Sequence, residues 1–342
     1  MPSKEHSNPL ARFPKRVAVP DDVGPDIRAI HEGRCEIQST DISNPTNLAL
    51  DGDMLAIVGL TGYKERSPAL EITPLGLTRT GWENFYKPET PSSHKNIASE
   101  VVVDSIRRLV WTADDTRIKS IKYTLNDDRD DLKETLPTHT LDSAGYDGPI
   151  ALLNSGGRIT RIGRSGIALW DVDQLETHGP KGRRSIGGRH RADTYLDDSW
   201  RDVDDIDEVE RSKGSIPTIT RALAPDVAEA EIKHWDKSPS RPNEVMISAG
   251  RGKYTVFGLD LETGQKTSRF LGHGGIIHNI VTCWGDDRSS FVTTCGDGGV
   301  RLYDERVPVP YLTLDHSGDC GFSAVAYANV GGHPCEPLSS EQ

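Results

Sequence analysis

The chain has 342 residues, 35% hydrophobic and 27% charged, with a formal net charge of −12 and a mean hydropathy of −0.52. That length suits two ordinary domains or one large all-β domain, and the acidic balance excludes bulk-charge attraction to phosphate backbones or anionic membranes, so neither nucleic acid nor a membrane is expected as a partner. The 33 glycines and 21 prolines favour turns over long helices, and no apolar run approaches the ~20 residues of a membrane span.

The chain opens with "MPSKEHSNPL", which has no apolar signal core. Cys35, Cys283, Cys295, Cys320 and Cys335 are odd in number and contain no C-x-x-C pair. Reduced thiols and a cytoplasmic or nuclear location, not secretion, are expected. Residues 1–44 read as a charged, Pro-rich tail with one strand around Phe13–Val19, able to contribute a strand to the fold. From Leu48 the texture changes to short apolar runs separated by Asp-Gly and Asp-Asp turns. "LALDGDMLAIVGL" and "PALEITPLG" give the first strands, and "SEVVVDSIRRLVWTADDTRIKSIKYT" gives three more. "PIALLNSGGRITRIGRSGIALWDVD" repeats the texture within the first block, 45–177.

Residues 178–243 interrupt the pattern. They open basic ("KGRRSIGGRHR"), turn acidic ("DDSWRDVDDIDEVE") and close with "SPSRPN". Low hydrophobicity and high charge predict a mobile, disordered insertion, with one short helix at "APDVAEAEIKHW". The basic run is open to three readings: an import signal, a contact patch or a solvated loop. The second block, 244–342, resumes with "VMISAGRGKYTVFGLDLETGQKTSRFLGH". It continues with "IIHNIVTCWGDDRSSFVTTCGDGGVRLYDERVPVPYLTLDHSGD", and a last start at "GFSAVAYANVGGHP" is incomplete.

Units of ~40–45 residues with three or four strands point to a repeat architecture. Sheets packed radially can bury both faces, which one sheet alone cannot. "GDGGVR" does not fit a phosphate loop, because no Lys-Ser/Thr pair opens a helix after it. A tight hairpin turn fits better. "GHGGIIHN" lacks the G-x-S-x-G elbow that an esterase oxyanion loop requires. His316, Cys320, His333 and Cys335 fit no zinc spacing. No catalytic, cofactor-binding or metal-binding residues are therefore expected.

The unit 272–304 resembles the WD-repeat family. It carries Gly272-His273, then "VTTCGDGGVRLYD", with Tyr303-Asp304 in place of the closing Trp-Asp. The resemblance implies a hydrogen-bonded row that locks the blade through His273, Thr293, Asp297 and Tyr303. "GRSGIALWDVD" keeps Trp170-Asp171 but has Arg164 in the turn-aspartate slot, and "GKYTVFGLDLETG" keeps only Asp260. The implied fold is an all-β, WD-repeat β-propeller. It would be seven-bladed in complete form and is incomplete here at the C-terminus. The implied function is a non-catalytic scaffold that binds partner proteins or peptides on its rims.

Two alternatives accompany this reading. "YDER" resembles the W-D-x-R box of substrate receptors for cullin-type ubiquitin ligases, which would make Arg306 a contact to a ligase adaptor. A subunit of a chromatin-associated complex is the other. Candidate partner-contact residues are Asp304, Arg306 and Trp284, with the loop Gly272–Ile276 on the same unit.

Overall fold

The computed structural model describes residues 42–51, 54–61, 67–74, 98–126, 132–153, 156–163, 166–188, 212–228, 232–249, 254–282 and 289–315. The described residues up to Ala222 form one compact unit and those from Leu223 form a second. Both are built from antiparallel sheets whose strands follow in chain order.

The first unit holds three sheets. One contains β1 (Asn44–Asp51), β2 (Met54–Thr61) and β3 (Ser67–Pro74). The next contains β4 (Glu100–Asp104), β5 (Leu109–Ala113), β6 (Arg117–Leu125) and β7 (Leu132–Asp142). The third contains β8 (Ile150–Leu153), β9 (Arg158–Gly163), β10 (Gly166–Asp171) and β11 (Ile219–Arg221). The second unit holds two sheets. They are β12 (Ile232–Lys237), β13 (Glu244–Ala249), β14 (Val256–Asp260) and β15 (Lys266–Phe270), then β16 (Ile277–Thr282), β17 (Ser290–Cys295), β18 (Gly299–Asp304) and β19 (Leu312–Asp315). The one α-helix among the described residues is a single turn, α1 (Pro225–Ala228). No described helix is long and apolar enough to cross a membrane.

Within each unit the sheets succeed one another as the blades of a β-propeller do. First strands stack on first strands, β1 on β4 and β4 on β8 in one unit, β12 on β16 in the other. Side-chain alternation explains why. On β5, Val110 joins Met54, Val58, Leu70 and Ile72 of the preceding sheet. Its neighbours Leu109, Trp111 and Ala113 point the other way, toward Ile150, Ile159 and Trp170. A strand with period-2 side chains and apolar residues at every position needs a sheet on each side. Each large side chain buried this way stabilises by roughly 1.5–3 kcal/mol. In the second unit Phe270, Phe291 and Tyr303 form the equivalent centre with Met246 and Val256. The Phe270 and Phe291 rings meet edge-on at 4.7 Å, and Phe291 stacks on Tyr303 at 5.0 Å.

The predicted insertion at 178–243 needs correction at both ends. Its C-terminal part supplies β11 as the outer strand of the third sheet and β12 as the first strand of the fourth. The helix expected at "APDVAEAEIKHW" stops after one turn, because Ile232–Lys237 pairs with β13, placing Trp235 opposite Ile247. The N-terminal part is also tied down. His178 donates Nδ1–H to the Arg184 carbonyl (2.6 Å), so its Nε2 accepts from the Thr140 hydroxyl (2.9 Å). Ser215 exchanges backbone hydrogen bonds with Thr140 and Asp142 of β7. Strand β7 itself was not expected. Its Pro137 is tolerated because β7 is the outer strand and its ladder with β6 slips by one residue there. The tail strand at 13–19, the acidic run from Asp197 and the last start at 321–334 lie outside the described residues, as does Arg164.

The β4–β5 hairpin carries the one non-glycine residue with positive φ among those described, Arg108 at 55°. An L side chain in that region costs roughly 1 kcal/mol or more. Replacing Arg108 with Gly is expected to stabilise the protein by roughly 0.5–1 kcal/mol despite glycine's greater unfolded-state entropy. Chemical denaturation of the two proteins measures the difference, and a destabilised variant would contradict it.

Candidate functional site

The strongest sequence motif folds into a polar row at one end of the fifth sheet. Gly272, at φ 109°, turns the chain so that His273 points inward. Buried His273 places Nε2 2.9 Å from the Thr293 hydroxyl. The Tyr303 hydroxyl donates to the Leu271 carbonyl at 2.8 Å and lies 3.3 Å from His273 Nε2. The two rings are stacked. The turn Gly296–Gly298 between β17 and β18 is a hairpin, with Gly298 at φ 82°.

Asp297 takes a different partner from the one the sequence suggests. It does not bond to the His273 ring. One carboxylate oxygen accepts the Gly274 amide (2.7 Å), the next amide along, and the other accepts the Gly299 amide (3.0 Å). Arg301 then forks onto both oxygens at 2.9 and 2.6 Å. Sequence reasoning missed Arg301. The available signal was parity: residues 297, 299 and 301 alternate onto one side of the hairpin, so an arginine two residues into β18 can meet the turn carboxylate.

These contacts displace protonation equilibria. Burial, together with the nearby Arg301 charge, pushes His273 down to about 3. Burial acts to raise Asp297, but the Arg301 fork and the Gly274 amide outweigh it and hold the carboxyl at about 2. The folded state therefore keeps His273 neutral. Its contribution to stability is complete above the ordinary imidazole value of 6.5 and shrinks as pH falls toward 3. Asp297 contributes above its ordinary 3.8 and loses that contribution as pH falls through about 2.

The other end of β18 presents a different surface. Asp304 lies five residue steps along β18 from Gly299, a span of roughly 17 Å at 3.3–3.4 Å per residue. Arg306 donates its backbone N–H (2.9 Å) and Nε (2.8 Å) to Asp304 Oδ1 and its Nη2 to Oδ2. These bonds hold Asp304 at about 2. The Arg306 side chain is 75% exposed despite this pairing. Beside it, Ser289, Ser290, Asp304, Arg306, Val307 and Tyr311 line an open concavity of about 340 Å³, with Tyr311 57% and Val307 43% exposed. The structure thus brings Asp304 and Arg306 together and sets them apart from the His273–Asp297 row. Trp284 lies outside the described residues. In the loop Gly272–Ile276, Ile276 is exposed, while the Gly274 amide is occupied by Asp297.

A second charged cluster, in the first unit, had no sequence signal. Arg161 on β9 is fully buried. It donates Nε to the Gly148 carbonyl and Nη1 to the Ser143 hydroxyl, both at 2.7 Å, while Nη2 has no hydrogen-bond partner among the described residues. Burial pulls its pKa down, opposed by Glu100, Asp114, Asp147 and Asp115. Burial also raises the carboxyl of Glu100 to about 7, against the lowering effect of Arg161. Among the described residues no group of three or more His, Cys, Asp or Glu side chains could hold a metal ion.

No family model matches the chain, and no curated protein is significantly similar to it.

Asp297→Asn retains an acceptor for Gly274 but removes the charge that Arg301 faces. A loss of about 2–3 kcal/mol is expected at pH 7, since removing one member of a largely buried charge pair leaves the other uncompensated. Denaturation at pH 7 and again near pH 2 measures it. The deficit should shrink at the lower pH, where wild-type Asp297 is itself partly protonated; a deficit unchanged between the two would contradict the assignment.

Proposed function

We propose that this chain is a WD-repeat propeller acting as a non-catalytic protein-interaction scaffold, its complete ring holding seven blades. The observation that carries this reading is the division of labour along β18. At one end His273, Thr293, Asp297, Arg301 and Tyr303 bond to one another and to nearby backbone. At the other end an exposed arginine stands beside exposed Val307 and Tyr311 around a concavity. Arginine and tyrosine are the residue types that most often anchor protein interfaces, through forked bonds to carboxylates and large apolar area at low entropic cost.

Substrate recruitment to a cullin-type ubiquitin ligase is the specific variant of this reading that Arg306 favours. The guanidinium is already held in a fixed direction by Asp304, so little side-chain freedom would be lost on docking an adaptor. A chromatin-associated complex is the other assembly consistent with a scaffold.

Affinity capture with the wild type, Arg306→Ala and Tyr311→Ala tests both levels. The scaffold reading expects at least one partner that binds the wild type directly, when purified, to fall at least fivefold with Arg306→Ala or Tyr311→Ala while thermal stability is unchanged. The ligase variant expects the adaptor among those partners. Equal recovery of every partner by all three proteins would remove this corner from the interaction surface, and absence of the adaptor would remove the ligase variant.

A further inference from the structure

The basic run that opens at Lys181 belongs neither to the blade pattern nor to the Arg306 corner, and through Gly188 it is folded against the outer strand of the second sheet. Arg189, His190 and Arg191 lie outside the described residues. The anchor at its start is His178. Its amide bonds to the Thr138 carbonyl of β7 at 2.9 Å, and its ring joins the Thr140 hydroxyl to the Arg184 carbonyl. The turn at Gly182 packs on the same strand, where a Cβ would lie 2.8 Å from Leu136 Cδ1. Ile186 is fully buried, and its amide bonds to the Ser212 hydroxyl at 3.1 Å.

A second segment fixes the run from its other side. The Lys213 amide bonds to the Gly188 carbonyl and the Gly214 amide to the Ile186 carbonyl, both at 3.0 Å, so residues 184–188 and 212–216 run antiparallel. The approach is close enough that a Cβ on Gly187 would collide with the Gly214 carbonyl oxygen. Continuing that register by two residues sets Ile216 toward Arg184. The backbone is thus tied down while the side chains face outward. Lys181, Arg183, Arg184 and Lys213 are exposed, and Ile216 is 74% exposed. Two carboxylates reach these cations, Glu176 at 3.9 Å from Arg184 and Asp142 at 4.0 Å from Lys213. Exposed pairs this long contribute little, and four cations against two carboxylates leave the surface locally positive.

We propose that this basic knuckle is a second interaction surface, which takes a carboxylate-rich segment of a partner protein and seats one of its apolar side chains on Ile216. Charge complementarity selects the carboxylates, and the arginine forks can hold them bidentately. Because the backbone is already ordered, docking costs little conformational freedom. A short acidic segment meets chiefly the local field, since charges beyond a Debye length of about 8 Å are screened. A long nucleic-acid strand would also meet the rest of a chain whose net charge is −12. The surface extends the scaffold reading but shares no residue with the Arg306 corner, so either can fail without the other.

Fluorescence anisotropy with the full chain and a labelled peptide of glutamates interrupted by leucines tests the surface. The wild type is expected to bind at low salt and to release the peptide as salt rises. Reversing both charges, Arg183→Glu with Arg184→Glu, should weaken binding roughly tenfold or more, and Ile216→Ser about threefold. Arg183→Lys with Arg184→Lys should retain most of the affinity, and Arg306→Ala all of it. Melting temperatures should stay unchanged, because the printed anchors at Arg184 use its amide and carbonyl rather than its side chain. Absence of binding by the wild type, or equal binding by the charge-reversed protein, would overturn the proposal. Loss of binding in Arg306→Ala would place the peptide at the other corner and overturn it too. Tighter binding of a single-stranded DNA oligonucleotide than of the peptide would reassign the surface to nucleic acid. Self-association of the wild type that charge reversal abolishes would reassign it to a second copy of the chain, and either result overturns the proposal.

Discussion

Apolar side chains on both faces of the second strand of a blade, as on β5, are the constraint from which the rest of the architecture follows. A sheet of this kind cannot sit at a surface. It requires a neighbour on each side, and a succession of similar sheets is the arrangement that supplies one. The alternation of Val110 against Leu109 and Trp111 makes the point at single-residue resolution, because adjacent residues of one strand belong to different hydrophobic clusters. Sheets held this way do not depend on any particular polar signature. That explains how the first four can follow the same pattern with little of the sequence motif that marks the fifth.

The polar row in the fifth sheet adds specificity to that burial. His273, Thr293 and Tyr303 satisfy one another in a dry setting, and the Asp297–Arg301 fork fixes the hairpin against the loop before β16. Buried polar groups are costly unless bonded, so a fully connected row favours a single register of the hairpin over its slipped alternatives. The Arg161 junction in the first unit is the counterexample. It is only partly connected, since the buried Nη2 of Arg161 has no hydrogen-bond partner among the described residues.

Much of this was legible because turns and strand alternation are local. The Asp-Gly-Gly hairpin and the five blade-like units follow from residues close in sequence or from a recurring spacing, whereas the grouping of His273, Thr293 and Tyr303 was implied by the resemblance of unit 272–304 to the WD-repeat family. What was not legible depended on distant or averaged information. Strand β7 was hidden by Pro137 and by charged residues that an outer strand can carry. Strands β11 and β12 were masked by the polar composition around them, although Trp235 and its alternation were a usable signal. The direction of Asp297 was misjudged because its strongest partner, Arg301, is decided by which side of a hairpin each residue occupies. Glu100 carried no signal at all, since the burial that raises its carboxyl and the Arg161 charge that opposes it depend on chain segments distant in sequence, Arg161 lying sixty-one positions along the chain.

Two-sided burial of the inner strands is tested most directly by residue-resolved hydrogen exchange across whole sheets at constant pH. The account predicts that β5 and β17, buried along their full length, are the slowest-exchanging strands of their sheets. The outer strands β7 and β19 should be the fastest. Protection that is uniform across a sheet, or greatest in its outer strand, would contradict it.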